Sequence, residues 1–180
     1  MRFSTMLGAL LGVAFTAVSL EAQRKPAPKA HAHGLATLDI AIEGKTGQLR
    51  FVAPAEDVYG FERAPRTPAE RQKRDAALAT LRTRFAELVI FEAALGCRIT
   101  NSSLKDIGDH GAGHDHADEG GHAEVTAEFA LACTQAPAGK DIRFGITRAF
   151  PSIRTVQVQL VSDTQQQGLR VQSDRGTVRP

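Results

Sequence analysis

Every second residue is apolar in two runs near the start of the predicted domain, residues 35–43 and 48–54. A two-residue period is typical of a strand that buries one of its faces. In the first run, the positions predicted to be buried are Ala36, Leu38, Ile40 and Ile42. Turn-forming residues separate the runs (Glu43, Gly44 and Lys45), so the sequence predicts a β-hairpin.

A helix is predicted after an irregular segment, residues 54–65. Thr67 can cap this helix, Pro68 suits its first position, and Glu70 completes a capping box. Apolar residues then recur at three- and four-residue intervals, which places them on one face of the helix. They are Leu78, Leu81, Phe85 and Leu88. We expect the helix to end before Gly96.

Further apolar stretches predict more strands, and these stretches are residues 97–107, 123–133, 142–146, 156–160 and 169–171. With about six or seven strands and one substantial helix, the pattern favours an α+β fold with a mainly antiparallel sheet. Residues 31–180 are expected to form a single domain.

The first 22 residues are predicted to be a signal peptide, because Arg2 precedes an apolar run from Met6 to Val18. That run is too short for a membrane span, so we expect no stable membrane insertion. Residues 23–30 are basic and rich in proline, which is typical of a disordered linker. The pattern predicts an exported, periplasmic protein.

Net charge and the absence of certain motifs argue against two classes of function, nucleic-acid binding and catalysis. The formal net charge is +2, and no cluster of Arg and Lys is interleaved with aromatic residues. Nucleic acid is therefore not an expected partner. We also find no His-Glu-x-x-His helix signature and no Gly-x-Ser-x-Gly elbow, so we do not expect an enzyme.

Cys97 and Cys133 are the only two cysteines. In an oxidising compartment such a pair is expected to form a disulfide, although both could instead be thiolate ligands of one metal ion. If the cysteines face each other across an antiparallel hairpin, strict register places Asp106 opposite Glu124.

All six histidines fall in two short tracts. One tract is the pair His31 and His33, and the other is residues 108–122, here called the histidine-rich segment. Imidazole and carboxylate groups are zinc ligands, so both tracts predict metal binding. The candidate ligands in the histidine-rich segment are His110, His114, His116, His122, Asp115 and Asp118.

Several arrangements of these ligands are open. In extended backbone, residues two apart project to the same side, so each His-x-His pair can offer two imidazoles to one ion. His110 and His122 could complete a site around His114 and His116, or His122 could instead join the N-terminal pair. The histidine-rich segment is expected to be a disordered His/Asp-rich hairpin loop that is poorly ordered without metal. The alternative is a structural or interaction domain in which this loop is incidental and binds no metal. Copper or nickel could also replace zinc, since copper(II) competes for imidazole sites.

The same residues resemble those of a known family. Its motifs here are residues 31–34, Pro54, residues 60–62, Pro65, Cys97 with Cys133, the histidine-rich segment, Phe150-Pro151 and residues 156–160. In this order they resemble the ZrgA-type family of bacterial periplasmic zinc-binding proteins, long classed as a domain of unknown function. The resemblance implies zinc binding in the periplasm and a contribution to zinc acquisition beside an ABC uptake system. Loops of that family are often richer in histidine than the one in this chain. The resemblance therefore implies metal binding here, but not the number of zinc ions bound or their affinity.

Overall fold

A computed structural model describes residues 32–106, 123–172 and 176–180. The predicted signal peptide, the linker, His31 and the histidine-rich segment lie outside the described residues. The helices are α1 (Ala55–Tyr59), α2 (Pro68–Leu88) and α3 (Ile146–Ala149), with a 3-10 turn at Ala93–Leu95. The strands are β1 (Leu35–Glu43), β2 (Thr46–Pro54), β3 (Val89–Ile90), β4 (Arg98–Lys105), β5 (Glu124–Ala132), β6 (Ile142–Phe144), β7 (Thr155–Val161), β8 (Gln166–Val171) and β9 (Thr177–Val178).

Six strands form the main sheet, in the order β4-β5-β2-β1-β7-β8, and β3-β6-β9 form a small second sheet. The predicted hairpin is confirmed, because β1 and β2 pair in antiparallel register from Thr37–Val52 to Glu43–Thr46. The main sheet is mixed, however, since β1 pairs with β7 in parallel. The backbone N–H groups of Arg154 and Thr155 both donate to the carbonyl oxygen of Gly34 at 2.9 Å. These bonds bring the start of β7 beside the start of β1.

The predicted helix start is confirmed. The Thr67 side chain accepts from the Glu70 backbone N–H at 3.1 Å, and the Glu70 carboxylate accepts from the Thr67 backbone N–H at 3.2 Å. This reciprocal pair of bonds is the capping box that the sequence indicates. The predicted apolar face is buried, as Leu78, Leu81, Phe85 and Leu88.

Helix α2 packs across one face of the main sheet through aromatic contacts. The ring of Phe85 stacks on Phe129 of β5, with centroids 3.8 Å apart, and meets Phe51 of β2 at 6.0 Å. The alternating residues of β1 face the same core, where Ala36, Leu38, Ile40 and Ile42 are buried. Polar residues of the opposite sheet face, such as Asp39 and Arg50, are exposed.

The hairpin of β4 and β5 agrees with the prediction at its base and differs at its far end. Cys97 and Cys133 form a disulfide with an S–S distance of 2.07 Å, so they are not thiolate ligands. Register shifts between Asn101 and Ser103, and Lys105 then pairs with Thr126. The strict register that placed Asp106 opposite Glu124 is therefore wrong, because a β-bulge adds one residue to β4.

Three further differences concern short elements. The segment expected to be irregular contains α1, which ends at Gly60 in the left-handed conformation with φ of 94°. Ile146, expected in a strand, begins α3. The described residues contain nine strands rather than six or seven, because β3 and β9 have two residues each. Elements this short carry no readable periodicity.

Candidate metal centre

Of the eight metal ligands predicted from the sequence, His33 lies within the described residues. The other seven lie outside them, so their predicted roles stay predictions. They are His31, His110, His114, Asp115, His116, Asp118 and His122.

His33 occupies a tight turn that is fixed on both sides. The backbone N–H of Leu35 donates to the carbonyl oxygen of Ala32 at 3.1 Å, which closes the turn. Gly34 follows His33 with φ of +80°, a conformation that favours glycine. The N–H of Gly34 donates to the buried carboxylate of Asp57 at 2.6 Å. The turn is thus tied to α1 through Asp57 and to β7 through the Gly34 carbonyl.

Helix α1 supplies two carboxylates with different surroundings. Asp57 is buried at 6% exposure, whereas its neighbour Glu56 is exposed. The backbone N–H of Ala55 donates to the carbonyl oxygen of Ala123 at 2.8 Å, which attaches the start of α1 to the start of β5. One helix therefore presents Glu56 to the surface while Asp57 holds the turn that carries His33.

Glu62 lies on the segment between α1 and α2, and its neighbours anchor it. Arg63 makes two hydrogen bonds to the Glu70 carboxylate, at 2.6 and 3.1 Å. The Arg63 guanidinium also lies 5.5 Å from the centroid of the Phe61 ring, and that ring packs against Tyr59 at 4.8 Å. Glu62 is half-buried between these two fixed residues.

These three segments bring three ligand atoms together. One donor atom each from His33, Glu56 and Glu62 lies within 4.8 Å of the others. The His33 Nδ1 is 3.6 Å from a carboxylate oxygen of Glu56, and both side chains are about half exposed (48% and 54%). Donors that share a tetrahedral zinc ion lie about 3.4 Å apart, so a small inward movement of side chains would suffice.

Comparison with known proteins identifies the family of the chain. Residues 30–180 match the family model described as ZrgA family zinc uptake protein. The chain belongs to the ZrgA family. A comparison with curated proteins finds no significant match. Membership in the ZrgA family relates the chain to zinc uptake and confirms the resemblance seen in its sequence. Among the described residues, no helix has the length and apolar character needed to cross a membrane.

Tyr59 and Asp106 are buried polar residues, and Arg74 beside Asp106 is partly buried. Burial, and then the charge of the Asp106 carboxylate, raises the pKa of Tyr59 to about 12, against the lowering effect of Arg74. The charge of Glu62 is a smaller cause that also raises this pKa. Within the described part of the chain, the buried hydroxyl of Tyr59 has no hydrogen-bond partner.

Glu56, Asp57 and Glu62 were missed as site residues by the sequence analysis. Glu62 belongs to residues 60–62, a motif that carries the resemblance to the ZrgA family, and this is a signal that could have indicated it. Glu56 and Asp57 carry no such signal. Their position beside His33 depends on α1, which has five residues, and on a hydrogen bond between residues far apart in the sequence.

Proposed function

We propose that this protein is an exported, periplasmic zinc-binding protein that contributes to zinc acquisition or buffering. The observation that carries the proposal is the position of His33, whose Nδ1 lies 3.6 Å from a Glu56 carboxylate on a fixed turn. Membership in a zinc uptake family supports zinc as the ion. No catalytic step is proposed, because the proposed role requires the site only to bind the ion and release it.

The proposed ligands form two groups. His31 and His33 form the N-terminal pair, and the histidine-rich segment supplies the second group. That second group consists of His110, His114, His116 and His122, with Asp115 and Asp118 as carboxylates that orient the imidazoles. Zinc is the cargo here, and a zinc ABC uptake system is its proposed recipient.

Calorimetric zinc titration of the exported chain tests this function. Wild type is compared with two variants. In the first, the four segment histidines (110, 114, 116 and 122) are replaced by alanine, and in the second, His31 and His33 are replaced by alanine. We expect the first variant to lose most of the bound zinc and the second to lose a smaller part. Far-UV circular dichroism should be unchanged in both, because the replaced residues lie outside the alternating apolar core.

Three results would contradict the proposal or part of it. Absence of zinc binding by wild type would leave a structural or interaction domain as the better interpretation. Binding of copper(II) or nickel(II) by a wild type that binds no zinc would change the cargo, whereas displacement of zinc by copper(II) would not, since copper(II) binds imidazole sites more tightly by chemistry alone. A segment variant that binds as much zinc as wild type would remove the role assigned to that segment.

A further inference from the structure

We infer that His33, Glu56 and Glu62 form a metal site of their own, which Asp57 positions and which binds zinc without the histidine-rich segment. The inference rests on the proposed function only for the identity of the ion. The site combines one imidazole with two carboxylates, so it differs in chemistry from a cluster of histidines.

The first support is that the donors come from three segments, each fixed by its own contacts. The hydrogen bond from the Gly34 N–H to the Asp57 carboxylate (2.6 Å) holds the turn of His33. The bond from the Ala55 N–H to the Ala123 carbonyl oxygen (2.8 Å) holds α1. The two bonds from Arg63 to Glu70 hold the segment that carries Glu62. Since little backbone has to be ordered when the ion binds, the entropy cost of binding is small.

The second support is charge. Two carboxylates within 4.8 Å of one imidazole place two negative charges around a point that a divalent cation can occupy. Like charges at this distance repel each other, and a cation between them converts the repulsion into attraction. Oxygen and nitrogen donors together suit zinc, which accepts both. The partial exposure of His33 and Glu56 gives the ion a route from solvent.

The third support is the buried hydroxyl of Tyr59. Tyr59 is 1% exposed and lies one helical turn after Glu56, in the field of the Glu62 charge. A buried hydroxyl without a partner among the described residues costs free energy, and it can donate to a carboxylate that shifts when an ion binds. The chain has one Tyr and no Trp, so Tyr59 is also a built-in reporter of metal binding.

Asp57 is the positioning residue in this arrangement. It follows the proposed ligand Glu56 and accepts a hydrogen bond from Gly34, which follows the proposed ligand His33. Its carboxylate therefore sets the distance between the two ligands without touching the ion. Replacing Asp57 should release the turn, whereas replacing it by Asn keeps an acceptor oxygen at the same place.

The test begins with the full exported chain in which His110, His114, His116 and His122 are alanine. Zinc affinity is measured by competition with a chromophoric chelator, and Tyr59 fluorescence is recorded in the same titration. We expect one tightly bound zinc ion and a change in fluorescence that saturates with it. Adding His33→Ala, Glu56→Gln or Glu62→Gln should weaken binding at least about tenfold, since even residues that only orient ligands contribute that much.

Glu43→Gln is the matched control, because Glu43 is an exposed glutamate at the opposite end of β1. It should bind zinc as tightly as the background variant. Glu56→Gln and Glu62→Gln variants that match this control would overturn the site. Absence of any zinc from the background variant, with zinc still bound by the wild type, would overturn the site and leave the proposed function standing. Absence of zinc from both would overturn the two proposals together.

A double-mutant comparison tests the positioning role of Asp57. We expect Asp57→Ala to weaken binding about tenfold, and Asp57→Asn to stay within a few-fold of the background variant. When His33 is already alanine, Asp57→Ala should weaken binding no further, because the ligand that it positions is absent. An equal loss in the presence and absence of His33, or no rescue by Asn, would overturn the positioning role.

Discussion

The carboxylate of Asp106 lies 3.5 Å from the guanidinium Nε of Arg74 and joins the end of β4 to the first half of α2. Its side chain is 7% exposed, and that of Arg74 is 27% exposed. We expect Asp106→Ala to lower the free energy of unfolding by about 1–3 kcal/mol, because a mostly buried cation loses a partner. Urea denaturation measures the loss. Asp39→Ala, on the exposed sheet face, should change stability by less than about 0.5 kcal/mol, and an equal loss there would contradict this role.

Tyr59 should make the fold sensitive to alkali. Burial, then the charge of Asp106, raises its pKa from 10.0 to about 12 in the folded chain. A raised pKa stabilises the folded state below the unfolded pKa, and this contribution is lost as the pH rises from 10 to 12. Ultraviolet absorbance of the single Tyr follows the titration directly. Tyr59→Phe should flatten the alkaline loss of stability, and a Tyr that titrates near pH 10 in the folded chain would argue against this.

Glu70 should make the stability of the fold sensitive to acid, whereas Tyr59 makes it sensitive to alkali. Hydrogen bonds from Arg63, then from the backbone N–H of Arg66, lower its pKa from 4.5 to about 2. The stabilising contribution is present above pH 4.5 and is lost as the pH falls toward 2. Glu70→Gln should reduce the acid dependence in that window, as measured by urea denaturation at a series of pH values.

Thr67→Ala provides the comparison for the Glu70 prediction. It removes the cap acceptor without removing a titratable group, so it should cost about 1 kcal/mol at every pH and leave the acid dependence unchanged. If Glu70→Gln shifted stability by a constant amount across the whole pH series, as Thr67→Ala should, the ionised carboxylate would have no special role.

Gly34 should tolerate a side chain poorly. Its φ is +80°, and an added Cβ would lie 2.7 Å from the Nε of Arg154. Gly34→Ala should therefore lower both thermal stability and zinc affinity at the His33 site. Gly44 is a matched control, because its φ is +54° but nothing lies within 4 Å of an added Cβ. Gly44→Ala should lower stability less and leave zinc affinity unchanged, and equal effects on affinity would exclude a steric role for Gly34.

Local signals in the sequence account for the parts of the fold that were predicted. The alternation of residues 35–43 and the capping box of Thr67 and Glu70 act over a few residues, and both are present as expected. The disulfide, which is present, was predicted from the single pair of cysteines and from the expectation of an oxidising compartment. Each of these features can be recognised without knowing where the rest of the chain lies.

The remaining features depend on contacts between distant residues. The bulge between Asn101 and Ser103 leaves no mark in the composition of β4, yet it decides which side Asp106 faces. Glu56 approaches His33 only because Asp57 binds Gly34 across 23 positions. The sequence could therefore predict metal chemistry from its histidines, but it could not indicate the glutamates that the fold places beside one of them.

The parallel pairing of β1 with β7 has a consequence for how the chain folds. β1 lies inside the main sheet, between β2 and β7, and its residue Leu35 pairs with Thr155 near the other end of the chain. A sheet that joins such distant segments has a high contact order and is expected to fold slowly. An amino-terminal fragment would leave one edge of β1 without its partner and apolar surface exposed to aggregation. The chain can therefore complete its central sheet only when nearly all of it is available, so residues synthesised first have to wait for those synthesised last.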